Sequence, residues 1–132
     1  MTRRFLLDTH VVVQWLSAPK KLSSEQGIVV REAERAGETL SISACTLIEI
    51  AILAEDPRKI KGPVDYIFSE LESNPMFEIL PITIPIAVEA AALTQLRDHR
   101  GRTIVATARV HNLRLLTSDQ RIIDSKLVPV VD

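Results

Sequence analysis

The chain has 132 residues, of which 46% are apolar and 25% charged, with a net charge of −1. That length suits one domain over residues 1–132 with a core of its own, and the composition is that of a soluble globular protein, which excludes fibrous and disordered classes. The bulk charge argues neither for nor against a nucleic-acid partner.

The first apolar run, Phe5-Leu6-Leu7, follows Arg3 and Arg4 and stops at Asp8. It is too short for a secretion signal and reads as a strand. Residues Thr9–Ser17 read as a helix despite three valines, with Trp15 and those valines as core or as a face for a homodimer or partner helix. Ser23 and Gln26 have the spacing of a capping box, opening a helix that Gly37 ends in a left-handed turn. Leu40–Ser43 is a second strand and Ala44–Ala54 a mostly apolar helix. The run Leu47–Ala54 contains Glu49 and is far too short to cross a bilayer, so no membrane role is expected.

Glu55–Gly62 reads as a polar loop, with Pro63 at the first position of helix Val64–Ser73. Phe77–Leu80 is a third strand, and Pro85 begins a helix over Ile86–Leu96. A basic loop follows, then helix Thr103–His111, a stop at Asn112, strand Leu113–Thr117, a short turn Gln120–Asp124 and strand Val128–Val131. Strands alternating with helices predict an α/β three-layer sandwich around a mostly parallel sheet of about five short strands. In such sheets ligands bind beyond the carboxyl ends of the strands. The single cysteine, Cys45, forms no internal disulfide and reads as a small buried hydrophobe in a reducing, cytoplasmic protein.

Charge is unevenly spread. From Arg97 to Arg121 six arginines face two aspartates, a local balance of +4 that leaves −5 for the remainder. Such asymmetry marks a phosphate-facing surface when the arginines share a face, and a solvated helix surface when they do not.

Three acids follow strand ends. Asp8 closes the first strand and is also a natural helix cap. Glu49 has Cys45, Thr46, Ile52 and Leu53 as its helical neighbours, so its carboxylate needs a cation or strong donors if it is buried. Asp119 follows the strand that ends at Thr117, where Thr117 and Ser118 are either caps or secondary ligands. Together, Asp8, Glu49 and Asp119 can converge on one sheet edge. Clustered carboxylates repel unless a cation sits among them, and hard oxygen donors suit Mg²⁺ or Mn²⁺. Such an ion can activate a water against a phosphodiester. His10, His99 and His111 are too dispersed for zinc or for a catalytic base.

The segments Leu6-Leu7-Asp8-Thr9-His10-Val11, Ser41-Ile42-Ser43 followed by Ile48-Glu49-Ile50-Ala51, Arg102-Thr103-Ile104-Val105-Ala106-Thr107-Ala108, and Leu115-Leu116-Thr117-Ser118-Asp119 occur in that order. As an ordered set they resemble the PIN-domain ribonucleases, above all the VapC-type toxins of toxin–antitoxin pairs. The resemblance implies a PIN-like fold, Mg²⁺-dependent cleavage of RNA and a cognate antitoxin that blocks the site. It carries the metal-binding and catalytic acids onto Asp8, Glu49 and Asp119.

One position departs from the pattern. Where the family has an Asp immediately before the Arg of the Arg-Thr-Ile-Val-Ala-Thr-Ala helix, this chain has Gly101. Asp98, three residues upstream, is the candidate replacement, swinging in on a loop that Gly101 makes flexible. Arg100 and Arg102 are expected to flank the cleft and hold RNA phosphates. The alternative to an active ribonuclease is a PIN-fold module that binds RNA or an antitoxin without cleaving. A haloacid-dehalogenase-type phosphotransferase would show Asp-x-Asp after the first strand, and position 10 is His. A receiver domain would need further acids beside Asp8.

Overall fold

The computed structural model describes residues 3–59 and 64–132. Pro63 and the end of the 55–62 loop lie outside the described residues. The elements in chain order are β1 (Arg3–Leu7), α1 (Thr9–Ser17), a short 3-10 turn at Pro19–Lys21, α2 (Ser24–Ala36), β2 (Thr39–Ser43), α3 (Ala44–Leu53), α4 (Val64–Ser73), β3 (Phe77–Leu80), α5 (Ile84–Ala92), α6 (His99–His111), β4 (Arg114–Leu116), α7 (Gln120–Ser125) and β5 (Val130–Val131).

The five strands form one sheet in the order β3-β2-β1-β4-β5, and every pairing is parallel. Alternation along the strands sorts the core into two layers. Phe5, Leu7 and Leu116 pack with Val12, Val30, Ile50 and Ile67 on one face. Leu6 and Leu115 pack with Ile86, Ile104, Val105 and Ile122 on the other. The result is the three-layer α/β/α sandwich expected from the sequence. The order reverses between β1 and β4, because β1 leads to β2 on one side while β4 pairs on the other. A crevice opens at such a switch point, beyond the carboxyl ends of the strands.

Local chemistry fixes several boundaries. Ser23 accepts from the Gln26 N–H while Gln26 reaches back to the Ser23 N–H, so the capping box forms as its spacing implies. Gly37 ends α2 at φ 70°, a conformation glycine adopts without penalty. Two helices differ from the sequence expectation. Helix α5 stops at Ala92 rather than Leu96. Helix α6 begins at His99 rather than Thr103, so the expected basic loop is the helix's first turn. Asp98 is the cause: its carboxylate accepts the Arg100 N–H at 3.2 Å and caps the helix four residues early. No described helix is long and apolar enough to cross a membrane.

Candidate active site

The switch-point crevice gathers four carboxylates from four different elements. Asp8 follows β1 and caps α1. It is 2% exposed, and both its oxygens are engaged. Oδ1 accepts the Thr9 N–H at 2.8 Å, and Oδ2 accepts the Thr117 hydroxyl at 2.7 Å. Glu49 lies on α3 and is half-buried, with the Thr9 side chain among its neighbours, and the Thr9 and Thr46 hydroxyl oxygens are 3.0 Å apart. Asp119 caps α7 by accepting the Arg121 N–H at 3.0 Å, and its own N–H donates to the Thr117 hydroxyl oxygen at 3.0 Å. Asp98 caps α6.

Arg100 joins them. Its guanidinium hydrogen-bonds Asp8 Oδ1 at 3.2 Å and forms ion pairs with Asp98 Oδ2 at 3.3 Å, with Asp119 Oδ2 at 3.9 Å and, through Nε, with Glu49. The sequence reading placed Arg100 at the rim, holding phosphate. The structure places it in the middle of the acids, because the early start of α6 turns position 100 inward. Arg102 does not flank the cleft either: its Nε donates to the Leu96 carbonyl and fastens the 93–98 segment. Asp98 needs no flexible loop to arrive. It is held as a cap, and Gly101 is a buried helical residue without positive φ.

Thr117 and Ser118 part company. Thr117 bridges Asp8 and Asp119, whereas the Ser118 hydroxyl accepts from Gln26 Nε2 at 3.2 Å instead of turning to the acids. Sequence reasoning missed Arg121, whose exposed guanidinium pairs with Asp119 at 3.2 Å. With Arg97, Asp98 and Gly101 it lines a hollow of about 240 Å³ beside the cluster. An arginine two positions after a capping Asp was the available signal.

The electrostatics follow from burial and from these arginines. Burial pushes the Glu49 carboxyl above its ordinary range, against the pull of Arg100. Burial acts upward on Asp119 too, but hydrogen bonds from the side chain and backbone of Arg121 outweigh it and leave the carboxyl below its ordinary value. Burial also holds the Cys45 thiol up and protonated.

The donor chemistry, all carboxylate with a hydroxyl behind it, suits a hard divalent ion. The side-chain placement suits a guanidinium. Among the described residues no three His, Cys, Asp or Glu side chains stand as ligands around one point.

The PIN domain family model matches residues 5–126. This chain belongs to the PIN-domain family. Ribonuclease VapC22 of Mycobacterium tuberculosis is 32% identical over 120 residues, covering 89% of this PIN domain and 88% of that protein. Among solved structures, the fold matches that of VapBC2 from Rickettsia felis bound to a DNA fragment from their promoter, with a TM-score of 0.71, 14% identity and 98% of each chain covered. It also matches a toxin–antitoxin complex from Klebsiella pneumoniae, with a TM-score of 0.63, 23% identity, and 96% of this PIN domain and 95% of that chain covered.

Proposed function

We propose that the chain, as one PIN domain over residues 1–132, is a cytoplasmic endoribonuclease of the VapC type that uses Mg²⁺ or Mn²⁺ and is held in check by a cognate antitoxin. The observation that carries this reading is the convergence of Asp8, Glu49, Asp98 and Asp119 at the switch point of a parallel sheet. The name of the 32% identical relative supports it.

Asp8, Glu49 and Asp119, with Asp98 in place of the acid absent at Gly101, would hold the ion. Bound there, a divalent ion supplies a lowered water pKa and charge neutralisation at a phosphodiester. The chain's own residues do the positioning. The Thr117 hydroxyl and the Thr9 N–H fix the Asp8 carboxylate from two sides, so its rotamer is set before any ligand arrives. Arg97 and Arg121 present positive charge on the open side, where an RNA backbone would approach. The toxin–antitoxin character of one structural neighbour supports a protein partner. So does the apolar groove beside the acids, where Ile48 and Ile52 are 63% and 59% exposed. RNA cleavage should appear in Mg²⁺ or Mn²⁺, disappear with chelator, and be lost in a folded Asp8→Asn variant. Cleavage by Asp8→Asn at the wild-type rate would overturn the proposal.

A second reading, a binding module that no longer cleaves, is favoured by one observation: the cation among the acids is the chain's own Arg100. Wild-type protein that binds RNA yet leaves it intact in both metals would establish that reading.

A further inference from the structure

We propose that Arg100 is a built-in counter-cation that holds the divalent-ion position, so that the guanidinium and the ion exclude one another. The inference rests on the metal site proposed above and adds a gate to it.

The argument begins with charge. Four carboxylates brought to one crevice repel strongly, and three are well shielded: the Asp8, Glu49 and Asp119 side chains are 3%, 16% and 18% exposed. A guanidinium stays ionised at any pH the fold tolerates and offers five N–H donors in a planar fork. Arg100 points that fork at all four acids, hydrogen-bonded to Asp8 and ion-paired with Glu49, Asp98 and Asp119, and keeps only 22% of its side chain exposed. It therefore stabilises the metal-free protein. It neutralises one charge of four, so the crevice stays acidic enough to attract a divalent ion.

Co-occupancy fails on geometry and on charge. Mg²⁺ needs oxygen ligands at roughly 2 Å in near-octahedral array, whereas these oxygens are spread around a much larger planar group. A divalent ion placed at their centre would also touch a like charge in a partly desolvated crevice. The exit path is short. Arg100 stands in the first turn of α6, and the apolar groove beside it, lined by Ile48, His99 and Thr103, opens to solvent. Side-chain rotation alone carries the guanidinium from the acids to the rim, where it can hold the phosphate of an incoming strand. Metal binding and phosphodiester binding should then reinforce one another.

The test is Mn²⁺ binding by calorimetry and electron paramagnetic resonance, without RNA turnover, on wild type, Arg100→Gln and Arg100→Lys. The expected result is Mn²⁺ binding at least tenfold tighter in Arg100→Gln than in wild type, with Arg100→Lys in between. Mn²⁺ should also raise the unfolding temperature of Arg100→Gln more than that of wild type. A DNA oligonucleotide, used as a phosphodiester without the 2′-hydroxyl, should tighten Mn²⁺ binding in wild type and not in Arg100→Gln. If Arg100→Gln folds only with metal, the exclusion is supported and Arg100→Lys supplies the affinity comparison. Equal Mn²⁺ affinity in all three proteins overturns the gate and leaves the ribonuclease reading standing. Absence of Mn²⁺ binding in all three overturns both.

Discussion

The Thr117 hydroxyl donates to Asp8 Oδ2 at 2.7 Å across 109 residues of sequence, fastening the end of β4 to the end of β1. The same oxygen accepts the Asp119 N–H, so one hydroxyl sets the spacing of two of the acids. Thr117→Val keeps the shape and removes both bonds, leaving a buried carboxylate oxygen short of a donor. We expect a loss of about 1–3 kcal/mol in denaturant unfolding and a fall in RNA cleavage. Thr117→Ser should recover most of both. A Val variant with unchanged stability and cleavage would mean the hydroxyl positions nothing.

Gly101 occupies the position where the family carries an acid, and the helix around it requires no positive φ. A Cβ there would meet Asp98 Oδ2 at 3.7 Å, an ordinary contact. Gly101→Ala should therefore stabilise the protein, by about 0.5–1 kcal/mol from helix propensity alone. Gly101→Asp adds a fifth carboxylate beside Asp98. It should lower stability in chelator, and raise both Mn²⁺ affinity and cleavage. Calorimetric binding together with a cleavage assay checks this, and an unaltered affinity would remove position 101 from the metal site.

The pH dependence has two parts of opposite sign. The Asp119 carboxyl lies below its ordinary value in the fold, so its contribution is present above the ordinary value and is lost as pH falls through the folded one. The Glu49 carboxyl lies above its ordinary value, so ionising it works against the fold, and its contribution fades as pH rises through the raised value. Unfolding temperatures measured from about pH 3 to 7 should show Asp119→Asn flattening the acid fall. Glu49→Gln should instead gain relative to wild type as the pH rises through the Glu49 transition. Parallel curves for wild type and both variants would contradict these assignments.

Much of this was legible in the chain because local signals agreed with the fold. The capping box at Ser23, the left-handed stop at Gly37 and the short apolar strands each form as their residue types imply. The meeting of Asp8, Glu49 and Asp119 at one place is legible because each follows a strand, and parallel strands carry their ends to one edge. The role of Arg100 is not. Gly101 reads as a loop residue, which hides the capping power of Asp98 and puts the expected start of α6 four residues late. That shift decides which way residue 100 faces, and no periodicity in a single helical turn reveals it. Nor does composition say which arginines are already spoken for.

The arginines of the 97–121 segment separate once their partners are known, and RNA binding should follow that separation. Arg109 pairs with Glu89 and with the Leu127 carbonyl. Arg114 stands at the opposite edge of the sheet, at the start of β4. Arg102 is fastened to the Leu96 carbonyl, so Arg102→Ala should cost about 1 kcal/mol of stability and leave the salt dependence of RNA binding unchanged. Arg97 and Arg121 are the two that line the hollow, both exposed, with Arg121 paired to Asp119 but its guanidinium still open to solvent. Replacing both with Ala should weaken RNA binding and reduce its log–log salt slope by about one unit per lost phosphate contact. The measurement is a salt titration of binding to a labelled RNA in chelator, which separates contact from cleavage. A slope that falls with Arg102→Ala and not with the Arg97/Arg121 pair would reverse the assignment. It would place the RNA backbone on the side of α6 that carries Arg102, away from the hollow.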